Sequence, residues 1–572
     1  MKTRTSFNTL VLFFTLLCFL ACKTEKKNVL TPIYDFTKTM IDDSAMVVTA
    51  HPIASQAGYE ILRKGGNAVD AAIAVQFSLA VCYPIAGNIG GGGFMVYRHN
   101  DGSIDALDYR EMAPAAASRD MYLDEAGNPI AEKSQNGALA VGVPGTPAGM
   151  YEAFQKYSKL KDWKALLAPA IESAEKGFRL THRQVGLMNK NKPKFDKYNT
   201  DPVVFNSKEW KGGDLIVQPE LAATLKAIAE EGPKGFYEGK VADQIVNQMK
   251  KSGGIITHED LKNYVPKWRE PITFDYRGHK IISMPPPSSG GVALAQIMGM
   301  VDNYNLSEMQ YHGADHIHTV VEAERRAYAD RSIHLGDPDY YNVPIAGLMD
   351  QEYLDGRMSD FSSEQASVSD SIDAGVMQES METTHYSIVD PEGNAVSMTT
   401  TLNGGYGSKL VVAEAGFLLN NEMDDFSAKP GTPNMFGLLG AEANKIEPGK
   451  RMLSSMTPTI VEKDGKLLLV CGTPGGSTII TSVYQTISNV IDFGMSASDA
   501  VQSPRFHHQW LPDKIVFENE GFDSLVIKEL EEMGHAVHIR GKLGKVEAVK
   551  CLDNGNLEGA ADTRANDDVK GF

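Results

Sequence analysis

Cysteine is scarce in this chain: five occur among 572 residues, at Cys18, Cys22, Cys82, Cys471 and Cys551. The last three are far apart in the sequence, which excludes a disulfide framework and a metal site built on paired cysteines. We expect these three to be small, buried hydrophobic residues.

Metal-binding and hydrolase motifs are also lacking. No HExxH motif occurs, and His316 and His318 lie two apart on a predicted helix, where they cannot share a face. Glu422, Asp424 and Asp425 form an acidic group without the spacing of a calcium loop. We therefore predict no metal ion and no cofactor. The absence of a GxSxG motif argues against an α/β-hydrolase.

Positive charge is in deficit, with 55 Lys+Arg against 73 Asp+Glu and a formal net charge of −18. A nucleic-acid binder needs a basic face to neutralise phosphates, so the balance argues against nucleic-acid partners. Apolar residues make up 42% of the chain and charged residues 22%, which is the composition of a folded globular protein.

Long apolar runs are absent except at the N-terminus, where residues 10–21 follow the basic Lys2 and Arg4. This run is too short to span a bilayer. With the cysteine that follows, it resembles a bacterial lipoprotein signal, so we predict that residues 1–21 are removed and that Cys22 is acylated. The alternative is a plain secretory signal cut near the same place. Either signal predicts export to the periplasm or the cell surface, with membrane contact only through a lipid anchor.

Two glycine-rich runs invite a phosphate-binding interpretation. Gly90–Gly93 lies between a predicted helix and a predicted strand, whereas phosphate loops run from strand to helix, so we expect close backbone packing there. Gly472–Ser477 has the strand-to-helix order. Its N–H groups could receive an anion or a developing oxyanion, although a tight turn explains its glycines equally well.

Regular structure alternates between helices and hairpins. Hydrophobic patterns predict helices at residues 67–81, 148–157, 163–176, 292–304, 314–331 and 477–493. Strand-forming runs around turn signals predict hairpins at residues 94–109, 384–402 and 457–471. Helices cluster in both halves with hairpins between them, which favours an α+β fold of antiparallel sheets covered by helices.

The pattern changes abruptly at Thr383. Residues 359–382 are polar and rich in serine and aspartate, which predicts an exposed, mobile segment. A threonine hydroxyl needs a base to become a nucleophile. If the bond between Glu382 and Thr383 is cut, the new α-amino group, with a pKa of about 7.7–8.0, suits that task. The alternative is a strand that merely begins with threonine.

Several motifs together resemble the γ-glutamyltranspeptidase family (γ-glutamyltransferase, glutathione hydrolase). They occur in the family's order across nearly the whole chain after the signal: Gly90–Met95, Arg110–Pro114, Thr383–Ser387, Asp390–Val396, Asn420–Phe426, Leu453–Thr459, Gly472–Ser477 and Pro504–Gln509. The resemblance implies an N-terminal-nucleophile hydrolase, a four-layer α/β/β/α sandwich. It also implies autocatalytic cleavage between Glu382 and Thr383 into a large subunit, residues 22–382, and a small subunit, residues 383–572, which form one intertwined globular unit.

The resemblance also implies a role for each site residue. Thr383 would be the nucleophile, and Thr401 would hydrogen-bond it. The substrate's α-carboxylate would be held by Arg110, Ser454 and Ser455. Its α-ammonium would be held by Asn403, Glu422 and Asp425. The N–H groups of Gly475 and Gly476 would stabilise the oxyanion. The set is chemically coherent, because a glutamyl head carries one carboxylate and one ammonium.

Hairpin geometry tests this arrangement. A three-residue loop at residues 392–394 pairs Thr383 with Asn403 and His385 with Thr401, so that Thr383, Thr401 and Asn403 share one face. A four-residue loop would place Thr401 on the opposite face. We predict the three-residue loop.

The implied substrates are glutathione and related γ-glutamyl compounds, with water or the amine of an amino acid or peptide as acceptor. One alternative is a glutaryl or cephalosporin acylase of the same fold. Another is a non-catalytic, peptide-binding surface lipoprotein. Two departures from the family occur: Glu422 stands where some bacterial members carry glutamine, and Phe436 stands in the lid loop, residues 430–440, where bacterial members often carry tyrosine.

Overall fold

The computed structural model describes residues 33–369 and 383–572. The predicted signal peptide, Cys22, Glu382 and the last part of the predicted mobile segment lie outside the described residues. Within the two described ranges, no helix combines the length and apolarity that a bilayer crossing requires.

The described residues form β-strands and α-helices throughout both ranges. The strands are β1 Thr39–Asp42, β2 Met46–Thr49, β3 Gly92–Arg98, β4 Ile104–Asp108, β5 Phe178–Arg179, β6 Leu215–Ile216, β7 Lys267–Arg269, β8 Ile272–Tyr276, β9 His279–Ser283, β10 Thr383–Val389, β11 Ala395–Thr401, β12 Val411–Val412, β13 Phe417–Leu418, β14 Thr459–Lys463, β15 Lys466–Gly472, β16 Phe506–His507, β17 Ile515–Glu518, β18 Val537–Arg540, β19 Glu547–Cys551, β20 Leu557–Ala561 and β21 Asp568–Gly571.

The helices are α1 Pro52–Arg63, α2 Ala68–Cys82, α3 Ala131–Gln135, α4 Thr146–Tyr157, α5 Trp163–Lys176, α6 His182–Tyr198, α7 Pro219–Glu231, α8 Lys234–Tyr237, α9 Gly239–Ser252, α10 His258–Lys262, α11 Gly290–Val301, α12 Ala314–His334, α13 Ile345–Leu348, α14 Gln351–Arg357, α15 Thr478–Ile491, α16 Ala497–Gln502 and α17 Ser524–Glu532. All six helices expected from the sequence are present, with ends shifted by a few residues.

Two seven-stranded antiparallel sheets lie face to face. One has the order β1-β20-β19-β15-β14-β9-β8, and the other has the order β21-β2-β10-β11-β3-β4-β7. Helices α1 and α2 pack on the outer face of the second sheet, and α11, α12 and α15 cover the first. The predicted α/β/β/α sandwich with antiparallel sheets is therefore confirmed.

Each sheet combines strands from before and after the undescribed stretch at residues 370–382. In the second sheet, β10 and β11 are flanked by β2 and β3, and the last strand of the chain, β21, forms an edge. Long-range pairing of this kind makes the two parts of the chain one folding unit.

Helix α2 shows how the local sequence sets these layers. Asn67 and Asp70 form a reciprocal capping box at its start, and every residue from Ala68 to Cys82 is buried. A helix that is apolar on all sides must be covered on all sides, and α2 lies between the second sheet and neighbouring helices.

The central hairpin departs from the predicted register. Thr383 pairs with Thr401, so the predicted pairing of Thr383 with Asn403 and of His385 with Thr401 is wrong by two residues. The loop does contain three residues, but they are 391–393, because the Asp390 carboxylate accepts the N–H groups of Glu392 and Asn394 at 2.9 and 3.0 Å. A two-residue shift preserves alternation, so Thr383 and Thr401 still share a face.

Glycines and cysteines mostly follow expectation. A Cβ at Gly91 would lie 2.1 Å from the Thr401 carbonyl oxygen, and one at Gly93 would lie 2.4 Å from that of Thr399. The first glycine run is therefore required by close strand packing.

Cys82 and Cys471 are buried, but Cys551 is only partly buried, because it ends strand β19 beside the turn to β20.

Candidate active site

Thr383 begins strand β10 and is 4% exposed. Its Oγ1 lies 3.4 Å from Oγ1 of Thr401 on the paired strand. Thr401 Oγ1 also accepts the N–H of Asn403 at 2.7 Å, so its own hydrogen is available to Thr383. The hairpin register thus sets two hydroxyl groups against each other at one end of the sheet.

One cavity contains nearly the whole predicted set. Every predicted site residue within the described ranges except Gly475 lines it, together with two lid residues and two apolar side chains: Arg110, Thr383, Thr401, Asn403, Glu422, Asp425, Phe436, Leu438, Ser454, Ser455, Met456, Gly476 and Ile479. Gly475 precedes Gly476 in the same turn. Residues far apart in sequence therefore converge on the Thr383 hydroxyl.

Arg110 follows strand β4 and is completely buried. Its guanidinium donates to the Asp425 carboxylate at 2.6 Å, to the Glu422 carboxylate in a short contact, and to two backbone carbonyls at 3.3 Å. The Glu111 carboxylate lies 3.7 Å away. One cation therefore faces three acidic groups, before any substrate is considered.

Burial dominates the titration of these acids. It raises the pKa of Glu111 to about 8, against the lowering effect of Arg110. It raises the pKa of Glu422 well above the ordinary value and also raises that of Asp425. The Arg110 pKa is raised, since Glu422 and Asp425 outweigh the opposite effect of burial. At neutral pH we therefore expect at least one of the three acids to be protonated.

The acidic residues reach this position on a short turn. Residues Glu422–Asp425 form a single 3-10 turn. Just before it, the buried side chain of Asn420 accepts the N–H groups of Gly142 and Glu422 and donates to two carbonyls. One amide oxygen and one NH2 group thus satisfy four backbone groups and hold the turn in place.

Ser454 and Ser455 are each oriented by a donor. Met456 N–H donates to Ser454 Oγ at 3.1 Å, and Arg331 Nη2 donates to Ser455 Oγ at 3.0 Å. Because each oxygen accepts, each hydroxyl hydrogen remains for an incoming acceptor such as a carboxylate.

Gly475 and Gly476 form the turn before helix α15, with φ of 150° and 57°. Among the described residues, neither N–H donates to a protein acceptor. Two unused N–H groups at the start of a 14-residue helix provide an environment for a developing negative charge.

The sequence analysis did not predict that Arg331 bonds to Ser455 or that Glu111 is buried beside Arg110. Arg331 is buried on helix α12, and burial lowers its pKa to about 10. Its Nε donates to Ser289 Oγ at 2.9 Å. In the sequence, Arg331 is a charged residue of a predicted helix. Such residues are common on solvent-exposed helix faces, so this one gave no indication of a buried role. Glu111 stood beside Arg110 in a recognised motif, but its burial could not be inferred from that motif.

A second cluster of potential metal ligands lies away from this cavity. Ligand atoms of His318, Glu322 and His535 lie within 4.8 Å of one another. However, the two histidines hydrogen-bond at 2.7 Å, and Glu322 pairs with Arg325 and Arg326. Since these atoms are already engaged by protein partners, the cluster fits a structural network better than a metal centre.

Comparisons with known proteins identify the family and the fold of the chain. The family model described as gamma-glutamyltranspeptidase matches residues 54–572. The chain is 46% identical over 529 residues to the glutathione hydrolase proenzyme of Escherichia coli (strain K12), covering 92% of this chain and 91% of that protein. The crystal structure of cephalosporin acylase from Bacillus halodurans matches with a TM-score of 0.84 at 27% identity, covering 96% of this chain and 99% of that one. The structure of Helicobacter pylori γ-glutamyltranspeptidase matches with a TM-score of 0.55 at 43% identity, over 58% of this chain and 95% of that one.

Proposed function

Because the chain belongs to the γ-glutamyltranspeptidase family, we propose that it transfers the γ-glutamyl group of glutathione and related compounds to water or to an amine, through an ester on Thr383. The observation that carries this proposal is the placement of the Thr383 hydroxyl, 3.4 Å from that of Thr401, in the cavity that Arg110, Asp425 and Gly476 also line.

The proposed chemistry is acyl transfer. The free α-amino group of Thr383 takes the hydroxyl proton as Oγ1 attacks the γ-carbonyl carbon, and the N–H groups of Gly475 and Gly476 stabilise the oxyanion. When the tetrahedral intermediate collapses, the amide C–N bond breaks and the leaving amine takes the proton. Water or an acceptor amine then attacks the ester, releasing glutamate or a new γ-glutamyl amide and restoring the Thr383 hydroxyl.

Recognition of the glutamyl head group follows from the charged residues around Arg110. The α-carboxylate would accept from the Ser454 and Ser455 hydroxyls and from Arg110, which must share its donors with two protein acids. The α-ammonium would lie against Asp425 and Glu422, where it relieves the excess of negative charge around one guanidinium. Binding both groups places the γ-carbonyl at the nucleophile by proximity.

We also propose self-cleavage by the same hydroxyl. Thr383 Oγ1 would attack the carbonyl carbon of Glu382. As the C–N bond breaks, the hydroxyl proton would pass to the Thr383 nitrogen, which leaves an ester and a free α-amino group. Water would then hydrolyse the ester, releasing the Glu382 carboxylate and restoring the Thr383 hydroxyl. The subunits would be residues 22–382 and 383–572. The proenzyme name of the Escherichia coli relative supports such a step.

A denaturing gel of the wild type and Thr383→Ala tests both steps. We expect two bands and γ-glutamyl anilide turnover for the wild type, and one full-length band without turnover for the variant. A wild type that stays a single full-length band would contradict the mechanism.

The acylase alternative shares the fold, as the Bacillus halodurans structure illustrates. A glutaryl group has no α-ammonium, so the paired acids Glu422 and Asp425 favour γ-glutamyl substrates. Comparing kcat/KM for γ-glutamyl and glutaryl anilides decides between them. A purely peptide-binding lipoprotein would show no turnover of either compound in a fully processed sample.

Export is part of the proposal as well. We propose that residues 1–21 are removed and that Cys22 carries the lipid. Mass determination of the mature large subunit tests this: the mass of residues 22–382 plus acyl chains is expected, whereas an unmodified chain would indicate a plain secretory signal.

A further inference from the structure

The lid tip, residues 434–438 of the lid loop, is organised by the side chain of Asn434. Asn434 Oδ1 accepts the N–H groups of Phe436 and Leu438 at 3.0 and 3.1 Å. The backbone of Asn434 also bonds to Leu438 and Gly437. The lid tip is therefore a compact turn built around the Asn434 amide oxygen.

The amide nitrogen of Asn434 reaches out of the lid. Its Nδ2 donates to Asp425 Oδ1 at 2.9 Å, and the other oxygen of Asp425 accepts from Arg110 at 2.6 Å. Asp425 is thus held from one side by the lid and from the other by the cation of the cavity. A carboxylate has about four acceptor positions, so room remains on it for an ammonium group.

The lid also contacts the turn at Gly475 and Gly476. The ring of Phe436 lies so close to Gly476 that a Cβ there would be 2.5 Å from it. Gln509 Nε2 donates weakly to the carbonyls of Phe436 and Gly437, at 3.4 and 3.3 Å. The Met435 N–H also donates to the Asp424 carboxylate at 2.9 Å, but Asp424 does not line the cavity. The bond from Asn434 therefore ties the lid to an acid of the cavity itself.

We propose that Asn434 is a positioning residue that couples closure of the lid to occupation of the α-ammonium site on Asp425. An ammonium bound there keeps Asp425 ionised, and a hydrogen bond to an ionised acceptor is stronger than one to a neutral acceptor. The closed lid in turn excludes water and strengthens the contact between ammonium and carboxylate. Coupling of this kind is reciprocal, so the lid favours ligands that carry the ammonium group.

The inference rests on the proposed function and is tested with two competitive inhibitors of γ-glutamyl anilide turnover, L-glutamate and glutarate, which differ only in the ammonium group. For Asn434→Ala we expect the inhibition constant of glutamate to rise about tenfold, the effect of losing one bond to a charged group. That of glutarate should change by less than about threefold.

Two further variants separate coupling from loosening of the loop. Gln509→Leu removes a lid tie that does not touch Asp425 and leaves the bond from Asn434 in place, so the ratio of the two inhibition constants should change less than in Asn434→Ala. Thr432→Ala, in the same loop, should leave both constants unchanged. Equal changes for the two inhibitors in Asn434→Ala, or no change in either, would overturn the coupling. Absence of anilide turnover in the wild type would instead overturn the proposed function.

Discussion

The two ends of the cavity are built in different ways. The nucleophile end consists of neutral hydroxyl and backbone N–H groups: Thr383 and Thr401 on paired strands, and the turn at Gly475. The head-binding end is a buried charge cluster centred on Arg110, supplied by loops from distant parts of the chain. A sheet register fixes the first end, and mutual compensation of charges fixes the second. Changes at the two ends should therefore alter different kinetic parameters.

The largest effect is expected at the charged end. Arg110→Met removes the only guanidinium that bonds Glu422 and Asp425 in the described structure. We expect the KM for γ-glutamyl anilide to rise at least about 100-fold, and the free energy of unfolding to fall by about 3–5 kcal/mol because buried acids lose their partner. Steady-state kinetics and urea unfolding measure these changes.

Arg119→Met is the matched control, because Arg119 pairs with Glu442 on the exposed surface. It should change neither quantity measurably. If Arg110→Met lowered kcat while leaving KM unchanged, the division of the cavity into two ends would be wrong.

A smaller effect, on kcat instead of KM, is expected at the neutral end. Thr401→Val keeps the side-chain shape but removes the hydroxyl that faces Thr383. We expect kcat to fall about tenfold, the effect of one lost hydrogen bond, with KM within about twofold of the wild type. Thr400→Val is the control, since the Thr400 hydroxyl bonds to Gly92 on the other face of the strand. A rise in KM without a change in kcat for Thr401→Val would contradict the assignment of different kinetic parameters to the two ends of the cavity.

The smallest effect concerns pH. Burial raises the pKa of Glu111 to about 8 from an ordinary value of 4.5, so the folded state favours its protonated form. Glu111 therefore contributes stability that is complete below its unfolded pKa and is lost as pH rises towards 8. We expect Glu111→Gln to lose less unfolding free energy than the wild type between pH 5 and pH 8, as measured by urea unfolding. Parallel pH dependences would show that Glu111 is not the titrating group.

Family resemblance named the residues of the neutral end, and strand alternation predicted their common face. Strand alternation placed Thr383 and Thr401 on one face, and helix α2 was predicted to within one residue at each end. The register was wrong by two residues because the Asp390 side chain starts the turn one residue earlier than the predicted loop at residues 392–394. Side-chain hydrogen bonds of this kind follow from the folded loop and not from residue type alone.

The residues of the charged end were also named through family resemblance, but no local pattern predicted how they pair. Its residues come from segments hundreds of positions apart, and their pairing depends on burial that no local pattern reports. Arg110, Glu422 and Asp425 were predicted to hold opposite ends of a substrate, yet in the structure they bond to one another. The hydrogen bond between Asn434 and Asp425 likewise depends on the folded lid loop and not on a local sequence pattern.

The alternation of strands within both sheets has a kinetic consequence. If the backbone is cut before Thr383, neither polypeptide retains a complete sheet, because β10 and β11 would belong to one piece and β2 and β3 to the other. Denatured precursor could renature at a rate independent of dilution, whereas denatured mature enzyme would need two molecules to meet. Maturation would therefore convert a reversible monomer into an assembly that, at low concentration, is not regained after unfolding.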